Sequence, residues 1–322
     1  MKKYKFILTI IIVGMFSICF VSCKKDIDFN KKYDQQKLVV NCIFDITNSP
    51  NIYLTESRDP TVPSTYFQSY SKAEISIFSG ENKISDFSYN ENSLNYSSSE
   101  DMHFKTGETY SIIVTTPKYG KTSASFSFPT KILIDSIELK KENVNVEDEG
   151  VDKYLVAYIH FKDMEGEKNF YQIDGYYERN ANAMSNIYLN QDSNYVMPRP
   201  TWSFLDSYFQ VDDVLKNNGA LDSYDNIHQI FNDDIFDGKG YTLKYLISYG
   251  DNIDSSMSVV VHIFLKSLSP DLYYYYKSLD IYNYNDGDFT VEPTNIYNNI
   301  ENGLGIVGTY QVDNKSATYI EK

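Results

Sequence analysis

The side chains of this 322-residue chain that could carry chemistry are few in type: four histidines, three cysteines, and 44 acidic residues against 29 basic ones. Zinc needs imidazole, thiolate or carboxylate groups at short, fixed spacings. His103, His160, His228 and His262 form neither an HExxH nor an HxxxH pattern. His160 and His262 fall inside strand-like runs and read as partly buried residues with local hydrogen bonds. Calcium needs clustered oxygen donors. Asn232, Asp233, Asp234 and Asp237 before Gly238 supply them, as do Asn283, Asn285, Asp286 and Asp288 around Gly287. Neither group has EF-hand spacing, and Asp, Asn and Gly build turns without any ion. The chain contains no GxSxG elbow, no SxxK and no glycine-rich phosphate loop. Hence no catalytic residue, cofactor-binding residue, cofactor or metal ligand is assigned. Tyr273 to Tyr276, Tyr282 and Tyr284, and Tyr176 with Tyr177, could stack on sugars or aromatic ligands. Tyrosine is also a good half-buried sheet residue. With 30 Tyr and 19 Phe beside only three Arg, the clusters fit an AT-rich coding composition and are read first as structure.

The remaining chemistry is that of a thiol near the N-terminus. Lys2, Lys3 and Lys5 precede an apolar run over 6–21, broken by Thr9, Gly14 and Ser17, which is the pattern of a secretory signal. As a helix the run covers about 24 Å, short of the roughly 30 Å hydrocarbon core, so cleavage is favoured over a permanent span. Phe20, Val21, Ser22 and Cys23 resemble the lipobox of bacterial lipoproteins, in which a small residue precedes the cysteine that takes diacylglyceryl through a thioether. Cys23 is therefore the expected lipid attachment site. At about 0.8 kcal/mol per buried CH₂, two or three acyl chains anchor a protein stably. Cleavage before Cys23 removes three Lys and no acid, leaving 26 basic and 44 acidic residues, a net charge of −18 in place of −15. That acidity argues against nucleic acid as a partner. A mean hydropathy of −0.41 excludes a protein of many membrane spans. With Cys19 lost and Cys23 acylated, Cys42 has no intramolecular disulfide partner, and its place in LVVNCIF marks a buried thiol. Lys24, Lys25, Asp26, Ile27 and Asp28 begin a charged leader that resembles the surface-export signals of Bacteroidota lipoproteins and reads equally as a solvated tether.

Period-two patterning dominates the rest, so the fold class is mainly β: an N-terminal immunoglobulin-like β-sandwich followed by a β-rich C-terminal domain with a few short helices. Strands are predicted over 38–44, 52–55, 73–78, 110–116 and 122–128, the last two joined as a hairpin through Pro117 to Lys121. No Cys, Trp, Cys signature accompanies them, so the immunoglobulin comparison concerns architecture alone. Pro129 and Thr130 mark the joint. The organisation is then a signal peptide over 1–22, a lipidated tether over 23–35, a sandwich over 36–130 and a C-terminal domain over 131–322. In the latter, strands are expected over 132–139, 154–161, 169–178, 241–249 and 257–266. The acidic stretch 140–152 reads as an exposed loop, 154–161 with 169–178 as a hairpin, and 241–249 with 257–266 as a final strand pair. Short helices are placed over 209–216 and 227–231. The clearest helix lies near 270–282, capped by Ser269, opened by Pro270 and Asp271, with Leu272, Tyr276, Leu279 and Asn283 at helical spacing.

Five segments carry a family resemblance: the lipobox, LVVNCIF, IFNDDIFDGKGY over 230–241, SLSPDLYYYYKSL over 267–279, and VEPTNIYNNIENGLGIVGTY over 291–310. They resemble a domain-of-unknown-function family of Bacteroidota lipoproteins often encoded beside TonB-dependent outer-membrane receptors. Glu292, Pro293, Asn295, Asn299, Gly303, Gly305 and Gly308 form its most specific stretch, and the glycines suggest tight turns against a sheet. The family offers no catalytic residues to carry over. The resemblance implies a non-enzymatic outer-membrane lipoprotein, lipid-anchored and in some cases surface exposed, accessory to a TonB-dependent nutrient receptor that would be its partner. An adhesin or envelope structural module is the alternative, and a carboxylate-dependent hydrolase a further one, because a glycosidase needs only two suitably spaced acids.

Overall fold

Alternating side chains set the first strand: Leu38, Val40, Cys42 and Phe44 of β1 (Leu38–Asp45) turn to one face and are buried there. A computed structural model describes this strand within residues 36–58, 68–146, 150–179, 212–215, 226–247, 258–285 and 294–320. The protein is mainly β. On the N-terminal side follow β2 (Tyr53–Glu56), β3 (Glu74–Ser79), β4 (Asn82–Asn90), β5 (Asn95–Ser97), β6 (Thr109–Thr116) and β7 (Gly120–Ser127). Then come β8 (Ile134–Val146), β9 (Gly150–Lys162), β10 (Phe170–Arg179), β11 (Ile230–Asn232), β12 (Gly240–Ile247), β13 (Ser258–Leu268), α1 (Pro270–Asn285) and β14 (Leu304–Ile320).

Three sheets result. A five-stranded sheet runs β5-β4-β3-β6-β7, a three-stranded sheet runs β12-β9-β8, and a six-stranded sheet runs β11-β10-β13-β14-β1-β2. The six-stranded sheet belongs to both halves. Its β1 and β2 bury Leu38, Val40, Phe44 and Leu54, with Ile52 just before β2, against Ile75, Ile112 and Phe126 of the five-stranded sheet and Phe128 just after β7. Its β10 and β13 bury Tyr171, Ile173, Val261, Ile263 and Leu265 against Leu155, Ile159, Phe161 and Leu243 of the three-stranded sheet. Strand β14 makes the connection: Leu304 to Tyr310 runs parallel to β1, and Tyr310 to Ile320 runs antiparallel to β13.

Two glycines permit this. Gly305 holds φ +113°, and a Cβ there would stand 2.0 Å from the Val40 carbonyl oxygen. Gly308 lets α1 approach the sheet, since a Cβ would meet the Leu272 side chain at 2.8 Å. The helix packs Leu272 and Tyr273 on Phe170, Ile230 and Leu268, with Ile43 and Tyr310 alongside. Ser269 caps it through its Oγ, which accepts the Leu272 N–H at 3.4 Å.

Several expectations from the sequence are corrected. The stretch 140–152 is not a loop through its length, because β8 reaches Val146 and β9 begins at Gly150, pairing Val146 with Gly150. Charged alternation along one solvated strand face conceals the apolar period there. Strands β9 and β10 are no hairpin: β9 pairs with β8 and β12, while β10 pairs with β11 and β13. Nor do β12 and β13 pair. Sandwich packing separates neighbours in sequence into opposed sheets. Residues 227–231 form a turn entering β11 in place of a helix. The glycine-rich C-terminal stretch enters the longest described strand, β14, rather than a set of turns. Strands β4 and β5 were not anticipated. The segment 209–216 is described only over 212–215, a turn closed by Leu215 N–H to Asp212 O at 3.0 Å. The described residues contain one helix where several short ones were expected.

Candidate functional site

The loops flanking the ends of β9 and β11 bring together carboxylates that the sequence separates by seventy positions. Ligand oxygens of Asp163, Asp233 and Asp237 lie within 4.8 Å of one another. Asp163 and Asp233 are buried, and Asp237 is exposed. Backbone amides hold all three: Gly238 N–H donates to Asp163 at 2.9 Å, Asn169 N–H to Asp233 at 2.7 Å and Gly166 N–H to Asp237 at 3.0 Å. The Tyr171 hydroxyl also donates to Asp163. Burial pushes the Asp163 carboxyl up against the lowering effect of the Tyr171 and Gly238 bonds. Burial, then the Asp163 carboxylate, raises the Tyr171 phenol. Lys168 supplies positive charge 3.7 Å from Asp233 and also pairs with Asp234. These three carboxylates are the described residues with the donor set for a hard cation such as calcium. Their amide bonds already tie the 163–169 loop to the 233–238 loop.

Asp233 and Asp237 belong to the group singled out in sequence; Asp163 does not, because only the sandwich brings it near. Of the second oxygen-rich group, around Gly287, Asn283 and Asn285 lie at the end of α1, and 286–288 lie outside the described residues. Cys42 is buried as expected, and burial raises its thiol far above the usual range. Cys23, the lipid attachment site expected from the sequence, lies outside the described residues. His160 on β9 bonds Thr242 through Nδ1 at 2.8 Å, and His262 on β13 bonds Ser316 at 2.7 Å, in line with their reading as local hydrogen-bonding residues.

His228 is different. Its Nδ1 lies 2.5 Å from Oδ1 of Asp280, and its backbone N–H donates to Oδ2 of the same carboxylate at 3.2 Å. Asp280 is fully buried, whereas the His228 side chain keeps 19% of its exposure. The imidazole stacks on Tyr276 with centroids 4.3 Å apart. Gln172 Nε2 donates to the His228 carbonyl at 2.9 Å, and its Oε1 accepts from Lys266 Nζ at 3.2 Å. Burial lowers the Lys266 ammonium and raises the Asp174 carboxyl that faces it at 3.5 Å. Of the tyrosine cluster, Tyr273 is buried, Tyr275 and Tyr276 are half-buried, and Tyr274, Tyr282 and Tyr284 are exposed.

A chain of two sheet sandwiches sharing one sheet, with the described cluster of three carboxylates in its C-terminal part, is what the residues define. The chain belongs to the DUF4249 family, a domain of unknown function, whose model matches residues 24–316. Among curated proteins no relative matches the sequence. No helix among the described residues is long and apolar enough to cross a membrane.

Proposed function

We propose that this protein is a non-enzymatic, lipid-anchored outer-membrane protein accessory to a TonB-dependent nutrient receptor, capturing ligand for the receptor or docking on it. The observation that carries the reading is Ser22–Cys23 directly behind a lysine-led apolar run, where a thiol can be acylated. The fold is compatible with such an anchor: β1, next to the edge of the shared sheet, begins fifteen residues after Cys23. Replacement of Cys23 by Ala is expected to release the protein from membranes into the soluble fraction. Unchanged pelleting of that variant would refute lipidation at this residue. Tagged native protein drawn from detergent-solubilised outer membrane is expected to bring a receptor barrel with it, and repeated recovery of the lipoprotein alone would count against the partnership.

A second reading, adhesin or envelope structural module, is favoured by the packing of β1 and β2 on the five-stranded sheet, which we read as immunoglobulin-like. It predicts that deletion impairs attachment and leaves nutrient uptake intact; the accessory reading predicts the reverse.

A further inference from the structure

A buried backbone group needs a hydrogen-bond partner, and losing one costs about 1 to 3 kcal/mol. In β1, Leu38 to Asn41 pair with β2 on one flank, while Val39 to Asp45 pair with β14 on the other. Cys42, Ile43, Phe44 and Asp45 therefore have β14 as their ladder partner among the described strands. Cys42 and Phe44 are also core residues of the N-terminal sandwich. In β13, every residue from Ser258 to Leu268 pairs with β14, and Val261, Ile263 and Leu265 are core residues of the C-terminal sandwich. One strand thus completes the ladders of two separate cores. Pairing of Cys42 with Val307 closes a very long loop, and contacts of such long range are slow to form.

Residues just before β14 hold it in place. The Asn299 side-chain amide donates to the Val307 carbonyl and accepts the Val307 N–H, both at 2.9 Å. It stands in for a neighbouring strand on the flank away from β1. Glu301 and Ser123 exchange backbone hydrogen bonds at 2.8 and 3.3 Å, which fastens the same segment to β7. Further along, Gln311 Nε2 donates to Thr106 Oγ1 at 2.8 Å and to the Pro129 carbonyl at 2.5 Å.

We propose that β14 is a closing strand clasped by Asn299: its insertion between β1 and β13 completes both sandwiches in one step, and neither reaches native packing before residues 304–320 are in place. In a chain that crosses a membrane behind the apolar run over 6–21, this defers folding until β14 has been delivered. That consequence rests on the secretory reading. The closing role rests on the pairing alone and is tested without the leader or the anchor.

The test uses residues 23–322 with Cys23→Ala, in which Cys42 is the one thiol. During refolding from urea, pulses of iodoacetamide read the burial of Cys42, and pulses of hydrogen exchange read the amides of β14. Cys42 is expected to become protected with the same rate constant as the β14 amides. Burial of Cys42 ahead of β14 would overturn the proposal, and no change within the fold is needed to read that outcome. In the native state, Asn299→Ala removes both hydrogen bonds to Val307, so opening of β14 should become about tenfold more frequent. Labelling of Cys42 and exchange of the β13 amides should then accelerate together by that factor. Acceleration at one of them alone, or at neither, would also overturn it.

Discussion

In the N-terminal sandwich Phe44, Phe104, Tyr110, Phe126 and Phe128 pack on one another, ring against ring, with centroids 5.0 to 6.4 Å apart. In the C-terminal sandwich the comparable rings sit beside buried acids: Tyr171 bonds Asp163, and Tyr241 bonds Asp212 at 2.6 Å. Charge follows the same division. Residues 36–130 carry seven basic and ten acidic residues, a net of −3, against −16 for 131–322. That ring cluster gains stability chiefly from burial and dispersion, with one polar atom, the Tyr110 hydroxyl, donating to Glu108 at 3.0 Å. Buried carboxylates have to be matched by hydrogen bonds, so they are kept at a cost that packing does not require. Among the described residues the first half buries Asp45, whereas the second buries Asp163, Asp212, Asp233 and Asp280.

The sharpest challenge to a two-part description is β14, which both halves share. Gly305→Val puts a side chain into the Val40 carbonyl and is expected to destabilise by on the order of 4 kcal/mol or more, lowering the urea midpoint of both sandwiches together. Loss confined to the N-terminal half would show that the shared sheet does not couple them. Phe126→Ala removes the centre of the ring cluster, at about 3 to 5 kcal/mol, and should loosen the N-terminal half first in hydrogen exchange. Tyr171→Phe leaves Asp163 with one hydrogen bond fewer and should cost about 1 to 3 kcal/mol, read from the same unfolding curves.

The pH responses of the two halves should differ in sign. Asp163 is held above the ordinary carboxyl range by burial, so its contribution is complete below the unfolded value and fades as pH rises through the folded one. Glu56 is held below that range, first by its hydrogen bond to Lys118 and then by that to Tyr119; its contribution is present at neutral pH and is lost on acidification. Asp163→Asn should therefore flatten the stability profile on the rising side from about pH 4 upward, the region where ordinary carboxyls ionise. Glu56→Gln should flatten the acid side, and by the smaller amount, because the Glu56–Lys118 pair is solvent exposed. Equal, parallel shifts from the two variants would remove the electrostatic contrast between the halves.

Much of the scaffold was legible in the residues. LVVNCIF lies in β1 with Cys42 inside, Ala124, Phe126 and Phe128 face the core as their alternation requires, and Ser269 caps a helix that begins at Pro270. What escaped was pairing. The sequence neighbours β9 and β10 suggested a hairpin, yet a turn that crosses between sheets has much the same residue types as one that reverses within a sheet. The candidate sites were half legible. Asp233 and Asp237 announced themselves by clustering; Asp163 lay 70 positions from Asp233, and Asp280 lay 52 from His228, with no local signal for either partner.

By itself the amino-acid sequence determined the β class, the separate helix near its end and the acidity, because period-two and 3.6-residue patterning and charge are local properties of a chain. It also placed Cys23 behind an apolar leader, the position of the acylation proposed above. Tertiary structure alone decided that β14 belongs to both sandwiches, that Gly305 must lack a side chain, and that a fully buried Asp280 grips His228. Those are outcomes of long-range pairing and of desolvation, which depend on what the rest of the chain brings into contact and are written in no short stretch of residues.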